Sequence, residues 1–180
     1  MGGWTALAIL MASYAGQPPR IGKPVAMPRT ASISITPLAN FTLTVSPGTI
    51  TFQATDPDVT PDAGSSAATV SWTHNGTNGA NWNLTVQSAA ATMTNCPAIA
   101  ASAITVTCTS AKVTGTGGTA ACSGAFALST TATVVASGRQ PNPSTTFTIT
   151  ITYSLADNWK RIAQMSPACS LSLTYIANQP

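Results

Sequence analysis

Hydrophobic and polar residues alternate along most of the chain after residue 30. In the stretch TTFTITITYS, for example, Phe147, Ile149, Ile151 and Tyr153 alternate with hydroxyl-bearing residues. An alternation with a period of two is typical of a β-strand that buries one face and exposes the other. The pattern recurs in RTASISIT, FTLTV, GTITFQAT, ATVSWTH, NWNLTVQS, SAITVTCTS, GAFALSTTATVVAS and CSLSLTYI. Because turn-forming residues separate these stretches, we expect an all-β antiparallel sandwich of two sheets, Ig-like or jelly-roll-like, with about nine or ten strands.

One segment departs from the period of two. In SLADNWKRIAQMSP, Leu155, Trp159 and Ile162 recur at helical spacing. Asp157 can cap a helix at its start, and Pro167 would end it. This segment predicts one short helical crossover between the two sheets.

The N-terminal part of the chain differs from the rest in composition. Residues 4–15 form an apolar run, shorter than the roughly 20 residues that span a bilayer but long enough for the core of a signal peptide. We therefore divide the chain into a signal peptide at residues 1–15, a proline-rich arm at 16–29 and a β-sandwich domain at 30–180. The alternative is that the apolar segment is retained. No transmembrane span is expected in the mature chain.

Charges are scarce, and hydroxyl groups replace them. Charged residues make up 6% of the chain, against roughly 25% in ordinary soluble domains, whereas serine and threonine together supply 48 residues. This composition is typical of a secreted or cell-surface β-protein. The net charge of +3 is spread along the chain, so it provides no basic stripe that would bind nucleic acid.

The four cysteines, Cys96, Cys108, Cys122 and Cys169, agree with export. An even number of cysteines in an exported chain indicates disulfides, and four cysteines allow three pairings. We expect Cys96–Cys108 to close a local loop and Cys122–Cys169 to join a middle strand to the last one. The alternative is four buried free thiols. We expect no zinc site, because the chain has no Cys-x-x-Cys and a single histidine.

The residues that enzymes need are nearly absent. His74, the single histidine, stands one residue before the turn-forming Asn75-Gly76. We expect an ordinary surface histidine at an exposed strand end, since a catalytic triad also needs a carboxylate that holds the imidazole. The chain has no glutamate and four aspartates, three of which share one loop. We therefore predict that the protein is not an enzyme and has no organic cofactor.

The shared loop is the one candidate metal site. Asp56, Asp58 and Asp62 lie within the stretch ATDPDVTPDAG. Several carboxylates with nearby carbonyls can supply the oxygen ligands of Ca²⁺. The spacing does not match an EF-hand loop, however, and Asp-Pro and Pro-Asp are also common turn dipeptides. A plain solvated turn is the favoured interpretation, and calcium is the alternative.

Trp72 and Trp82 flank the turn THNGTNGAN and are candidate glycan contacts. Two exposed tryptophans beside one turn could stack on sugar rings. Each of them, however, alternates in phase with an aliphatic residue, Val70 for Trp72 and Leu84 for Trp82. Packing in the core is therefore the favoured interpretation.

The stretch NGTNGANWNLTVQS, with the following Cys-Pro loop and SAITVT, resembles the first half of the WxL-type surface domain of bacteria. The resemblance covers about residues 68–106 and implies a secreted β-domain that associates non-covalently with the cell wall. The second W-x-L of that family is missing, since Trp159 is followed by Lys160. The chain length and the expected edge strands also resemble those of pilus subunits.

The strand that follows the arm raises the question of assembly. Ala31, Ile33 and Ile35 alternate with polar residues, and such a strand on a loose leader could be added to the sheet of a neighbouring subunit. The alternative is that it forms an edge strand of its own sheet. We expect an exported structural protein that self-associates as a subunit of a filament, a pilus-like fibre or a surface layer. The alternative function is a module that binds cell wall or glycan.

Overall fold

The computed structural model describes residues 29–35, 43–52, 62–74, 79–140, 144–156 and 169–178. The predicted all-β sandwich of two sheets is confirmed. The strands are β1 (Arg29–Ile35), β2 (Thr44–Ser46), β3 (Thr49–Phe52), β4 (Asp62–His74), β5 (Ala80–Ser88), β6 (Thr92–Met93), β7 (Cys96–Ala100), β8 (Ile104–Thr114), β9 (Thr119–Cys122), β10 (Phe126–Ala127), β11 (Thr133–Gln140), β12 (Thr145–Ala156) and β13 (Ser170–Asn178). A short 3₁₀ turn spans Ala101–Ala103. The expected number of strands was too low, mainly because several strands have only two to four residues.

The strands form two large sheets and one small one. The order is β3-β1-β13-β5-β11-β9 in the six-stranded sheet and β10-β8-β12-β4-β2 in the five-stranded sheet, and β6 and β7 form a separate pair. Neighbouring strands in the described residues are antiparallel with one exception, the parallel pair of β1 and β13.

The five-stranded sheet is built around β12. This strand pairs with β4 on one side and with β8 on the other along nearly all of its length. Its alternation is strict: Phe147, Ile149, Ile151, Tyr153 and Leu155 are all completely buried. The threonines between them point to the opposite face, because successive side chains of a strand alternate between the two faces of a sheet. The predicted buried face of this strand is confirmed.

The first strand lies inside the six-stranded sheet. β1 pairs with β13 on one side and with β3 on the other, so the expectation of an edge strand is wrong. The backbone register places Ala31, Ile33 and Ile35 opposite Leu171, Leu173 and Tyr175. The alternating pattern of β1 does not reveal this position. The position depends on β3, a strand from later in the chain that pairs with the outer side of β1. Donation of β1 to another subunit stays a prediction.

A glycine turn carries the chain from one sheet to the other. β8 lies in the five-stranded sheet and β9 in the six-stranded sheet. Gly115 and Gly117 between them have φ angles of 125° and 81°, which residues with a Cβ rarely adopt. The predicted turn at residues 116–118 is therefore confirmed, and it joins two strands that face each other across the core.

Several predictions concern residues that the structure does not describe. The signal peptide and most of the arm fall in residues 1–28, and the helical crossover falls mainly in residues 157–168. Leu155, which opened the predicted helical spacing, belongs to β12 instead. Within the described residues, no helix has the length and apolar character needed to cross a membrane.

Candidate functional site

The two tryptophans that were candidate glycan contacts are buried in the core. Trp72 is 2% exposed and Trp82 is not exposed at all. Their ring centroids are 4.9 Å apart in an edge-to-face arrangement, and Phe147 lies 5.2 Å from Trp72 and 5.0 Å from Trp82. The glycan platform is therefore wrong, and the alternation with Val70 and Leu84 was the better guide. The three rings stabilise one end of the sandwich by burial, by two edge-to-face contacts and by the stacking of Phe147 on Trp72.

A glycine makes room for this aromatic cluster. Gly138 of β11 lies directly beside Trp82 of β5, and a Cβ added to it would lie 2.7 Å from Cζ2 of Trp82. The same Cβ would lie 1.9 Å from the backbone oxygen of Thr119 in β9. The close approach of β9 to β11 and the position of Trp82 therefore both depend on a residue without a side chain. Nothing in the local sequence marks this glycine, since a lone glycine in a strand indicates close packing only once its neighbours are known.

His74 is buried, which corrects the expectation of an exposed surface histidine. It is 5% exposed and lies opposite Thr145, which is 1% exposed. Burial lowers the pKa of His74 below its ordinary value, because desolvation disfavours the charged imidazolium. The residue continues the inward series of Val70 and Trp72 on β4, so its phase with these residues was the signal that could have revealed its burial.

The acidic loop lies almost entirely outside the described residues. Asp56 and Asp58 are not described, and Asp62 is the first residue of β4, in register with Ala156. In the described part of the chain, no group of three histidine, cysteine or acidic side chains is close enough to hold a metal ion. The calcium hypothesis therefore stays a prediction.

All four cysteines form disulfides, but with different partners from those expected. The bonds are Cys96–Cys169 and Cys108–Cys122. The first joins the small β6–β7 sheet to the residue before β13. The second joins β8 of the five-stranded sheet to β9 of the six-stranded sheet. The prediction that the cysteines are disulfide-bonded is confirmed, and both predicted pairs are wrong.

The pairing was missed because separation along the sequence does not reveal which cysteines are close in space: one observed bond is local and the other is not. Cys96 begins β7, next to an isolated bridge between Thr94 and Ser170 that brings the start of β13 alongside. Cys108 faces the core from β8, and the glycine turn after β8 folds β9 back over it. The sequence separations of the observed bonds are 73 and 14 residues. Only the arrangement of the strands in space distinguishes the observed disulfides from the other possible pairings of the four cysteines.

A pair of tyrosine hydroxyls bridges the two sheets. Tyr153 of β12 and Tyr175 of β13 are completely buried, and their hydroxyl groups form a hydrogen bond with each other. Burial, and then the neighbouring Tyr175, raise the pKa of Tyr153 well above its ordinary value. Burial likewise raises the pKa of Tyr175. Both hydroxyls therefore stay neutral, and each satisfies the other where water has no access.

The outer face of the five-stranded sheet carries an array of hydroxyl groups. Its central strand contributes Thr146, Thr148, Thr150, Thr152 and Ser154. The residues beside them on the neighbouring strands include Thr73, Ser71, Thr69, Ser65, Thr114, Ser110, Thr107 and Thr105.

Some of the hydroxyl groups on this face form hydrogen bonds with each other. The Oγ1 atoms of Thr73 and Thr146 are 2.9 Å apart, and those of Thr109 and Thr152 are 3.4 Å apart. Among the side chains that the structure describes on this face, Lys112 is the one charged residue. We call this surface the hydroxyl face; it is polar and nearly uncharged.

The edges of both large sheets are short. The edge strands β3 and β9 have four residues each, β2 has three and β10 has two. Short edges offer few free backbone groups for pairing with another chain. The position occupied by β1, in contrast, has a strand on each side, β3 and β13. We call this position the β1 slot.

Comparison with protein-family models, curated proteins and solved structures found no match. The resemblance to WxL-type and pilus-like domains therefore stays a prediction.

Proposed function

We propose that the protein is an exported structural protein that assembles with copies of itself at a cell surface, as a filament or a surface layer. The observation that carries the proposal is the hydroxyl face. It extends over the three long strands of the five-stranded sheet and presents many hydroxyl groups with a single described charge, Lys112.

A surface of this kind suits dense contact between copies. Removing charged side chains from water costs several kcal/mol for each ion that lacks a partner, whereas a hydroxyl group can both donate and accept a hydrogen bond. Two hydroxyl faces, or a hydroxyl face and another polar surface, can therefore meet without leaving buried charges unpaired. The low overall content of charged residues, 6%, extends this argument to the rest of the surface.

The disulfides support the extracellular part of the proposal. Disulfides persist in oxidising surroundings and are rare in the cytosol. Two of them occur in a single domain here, and no described cysteine is free. Combined with the signal-like apolar segment at residues 4–15, this argues for export.

The test is the assembly state of the purified, oxidised full-length protein. Sedimentation velocity over a range of concentrations and negative-stain electron microscopy should reveal regular oligomers or filaments. Thr148→Lys and Thr150→Lys place a charge at the centre of the hydroxyl face and should reduce the assembled fraction. Both positions are partly exposed, so the free energy of unfolding should change by no more than about 0.5 kcal/mol.

Gln87→Lys is the matched control. Gln87 is also partly exposed, and it lies on β5 in the middle of the six-stranded sheet. This variant should assemble like the unmodified protein. A full-length protein that stays monomeric at every concentration would overturn the proposal. Monomers that sediment with insoluble cell-wall polysaccharide would instead favour the alternative, a wall-binding module.

A further inference from the structure

The β1 slot has a geometry that a second copy of the chain can use. β1 forms six residue pairs with β13 and four with β3. We propose that, in the assembly, β1 of one copy occupies the β1 slot of the next copy, in the same parallel register with β13. This inference rests on the proposed function, because it names the contact through which the copies self-associate.

The two strands that flank β1 are called here the walls of the slot. The β13 wall is held in place by contacts that do not involve β1. β13 pairs with β5 on its other side, from Leu173 to Asn178. The residue just before the strand, Cys169, is bonded to Cys96. Leu171, Leu173 and Tyr175 are buried against the rest of the core. The wall therefore stays in place when a different copy supplies the strand beside it.

The β3 wall is also held independently. Ile50 and Phe52 of β3 are 0% and 1% exposed, and the strand packs against β4 of the opposite sheet. Only Pro47 and Gly48 separate β3 from β2, which pairs with β4. β3 is thus fixed to the five-stranded sheet through β2 and through its own buried side chains.

Exchange also requires that the chain after β1 is long enough to reach another copy. Residues 36–42 join β1 to Leu43, and this is its one connection to the other described strands. Eight residue steps at full extension reach about 26 Å, comparable with the width of a small domain. On length alone, β1 of one copy can therefore reach the slot of an adjacent copy.

Exchange conserves the contacts of the fold. The same ten residue pairs form whether β1 comes from its own chain or from another copy, as in domain swapping. The closed monomer and the exchanged assembly therefore differ mainly in the entropy of association, and concentration shifts the balance between them. Each of the outermost described strands has at most four residues, whereas the slot provides ten residue pairs.

The experiment places one added cysteine in each of two separately tagged full-length chains. Ser32 is in register with Ser172 of β13 and with Thr49 of β3, and both Ser172 and Thr49 are exposed. Chains carrying Ser32→Cys are co-expressed with chains carrying Ser172→Cys, or with chains carrying Thr49→Cys, and are oxidised. A bond between the two tagged chains forms only where β1 of one copy lies beside β13 or β3 of another.

The matched control pairs Ser32→Cys with Gln87→Cys. Gln87 lies in the same sheet but on β5, beyond β13 from the slot, so only random collision can link it to residue 32. Mass spectrometry of unreduced peptides identifies the linked residues and verifies that the two native disulfides remain. We expect inter-chain bonds in the assembled fraction of both register pairs and only a background amount in the control.

The outcomes separate the inference from the proposed function. An assembled fraction that shows no inter-chain bond above the control overturns strand exchange and leaves the self-associating structural protein in place. The absence of any assembled fraction overturns the proposed function and strand exchange with it. Inter-chain bonds at the two register positions establish both the exchange and its register.

Discussion

In the five-stranded sheet, β12 pairs with β4 and β8 along almost its whole length, whereas the strands of the six-stranded sheet pair over shorter stretches. Its strands come in the order β3-β1-β13-β5-β11-β9. The first and last described strands, β1 and β13, are neighbours in it, and they form the parallel pair. Both disulfides also attach to this sheet or to its border, at Cys122 of β9 and at Cys169 next to β13.

This difference indicates which of the two sheets depends more on disulfides and close packing for its stability. Long antiparallel strands with an unbroken buried face stabilise the five-stranded sheet mainly through burial and backbone pairing. The six-stranded sheet has shorter pairings and brings together the first and last described strands, which costs chain entropy. Covalent bonds and close packing offset that cost. It is also the sheet that contains β1, the strand for which we propose exchange between copies.

Loss of the Cys96–Cys169 bond should have the largest effect. The bond closes a loop of 73 residues and the Cys108–Cys122 bond one of 14. From loop entropy we expect removal of the first pair, as Cys96→Ser with Cys169→Ser, to lower the free energy of unfolding by about 4 kcal/mol, and removal of the second by about 3 kcal/mol.

Guanidinium unfolding measures both losses, and hydrogen exchange locates them. Protection of the backbone amides should fall in β13 before it falls in β12 when the Cys96–Cys169 pair is replaced. If both sheets lose protection equally, the six-stranded sheet does not depend more on its covalent bonds, and the contrast between the sheets is broken.

A methyl group at Gly138 should detach the outer strand of the six-stranded sheet. In Gly138→Ala the new Cβ would meet the backbone oxygen of Thr119 at 1.9 Å, and a backbone atom cannot move aside without shifting β9. We expect a loss of about 3 kcal/mol, at the upper end for overpacking. Gly124→Ala is the control, because no atom lies within 4 Å of its added Cβ. Equal melting temperatures for the two variants would contradict the close approach.

The tyrosine pair tests how the two sheets depend on each other. Tyr153→Phe or Tyr175→Phe leaves the remaining hydroxyl buried without its partner, at a cost of about 2 kcal/mol. The double variant removes both polar groups, so it should lose less than the sum of the two single losses. A double-mutant cycle by chemical unfolding measures this coupling. Strictly additive losses would mean that the two hydroxyls act independently and that this link between the sheets is unimportant.

Mild acid should weaken the five-stranded sheet through His74. Because the pKa of His74 is lowered in the folded protein, the unfolded chain takes up a proton more readily at that residue. Its contribution to stability is complete above the ordinary histidine pKa of about 6.5 and is lost as the pH falls below that value. The melting temperature should therefore fall less between pH 7.5 and 5.5 in His74→Gln than in the unmodified protein. Identical pH profiles would contradict the effect of burial.

Period-two alternation was enough to predict the fold class and most of the buried face. It marked Ile149 and Ile151 in β12 and Leu173 in β13 as inward residues, and it favoured burial of Trp72 and Trp82 over glycan contact. These predictions succeed because successive side chains of a strand point to opposite faces of the sheet. The alternation of apolar and polar residues therefore shows which side chains face the core. The even cysteine count similarly predicted disulfides.

The tertiary structure decided which strands are neighbours. The alternation of β1 is the same whether the strand lies at an edge, inside a sheet or in another molecule, so sequence could not place it between β3 and β13. The disulfide partners, the burial of His74 and the need for glycine at residue 138 all follow from the same choice of neighbours. That choice depends on register and packing between residues far apart in the chain, which no local pattern records.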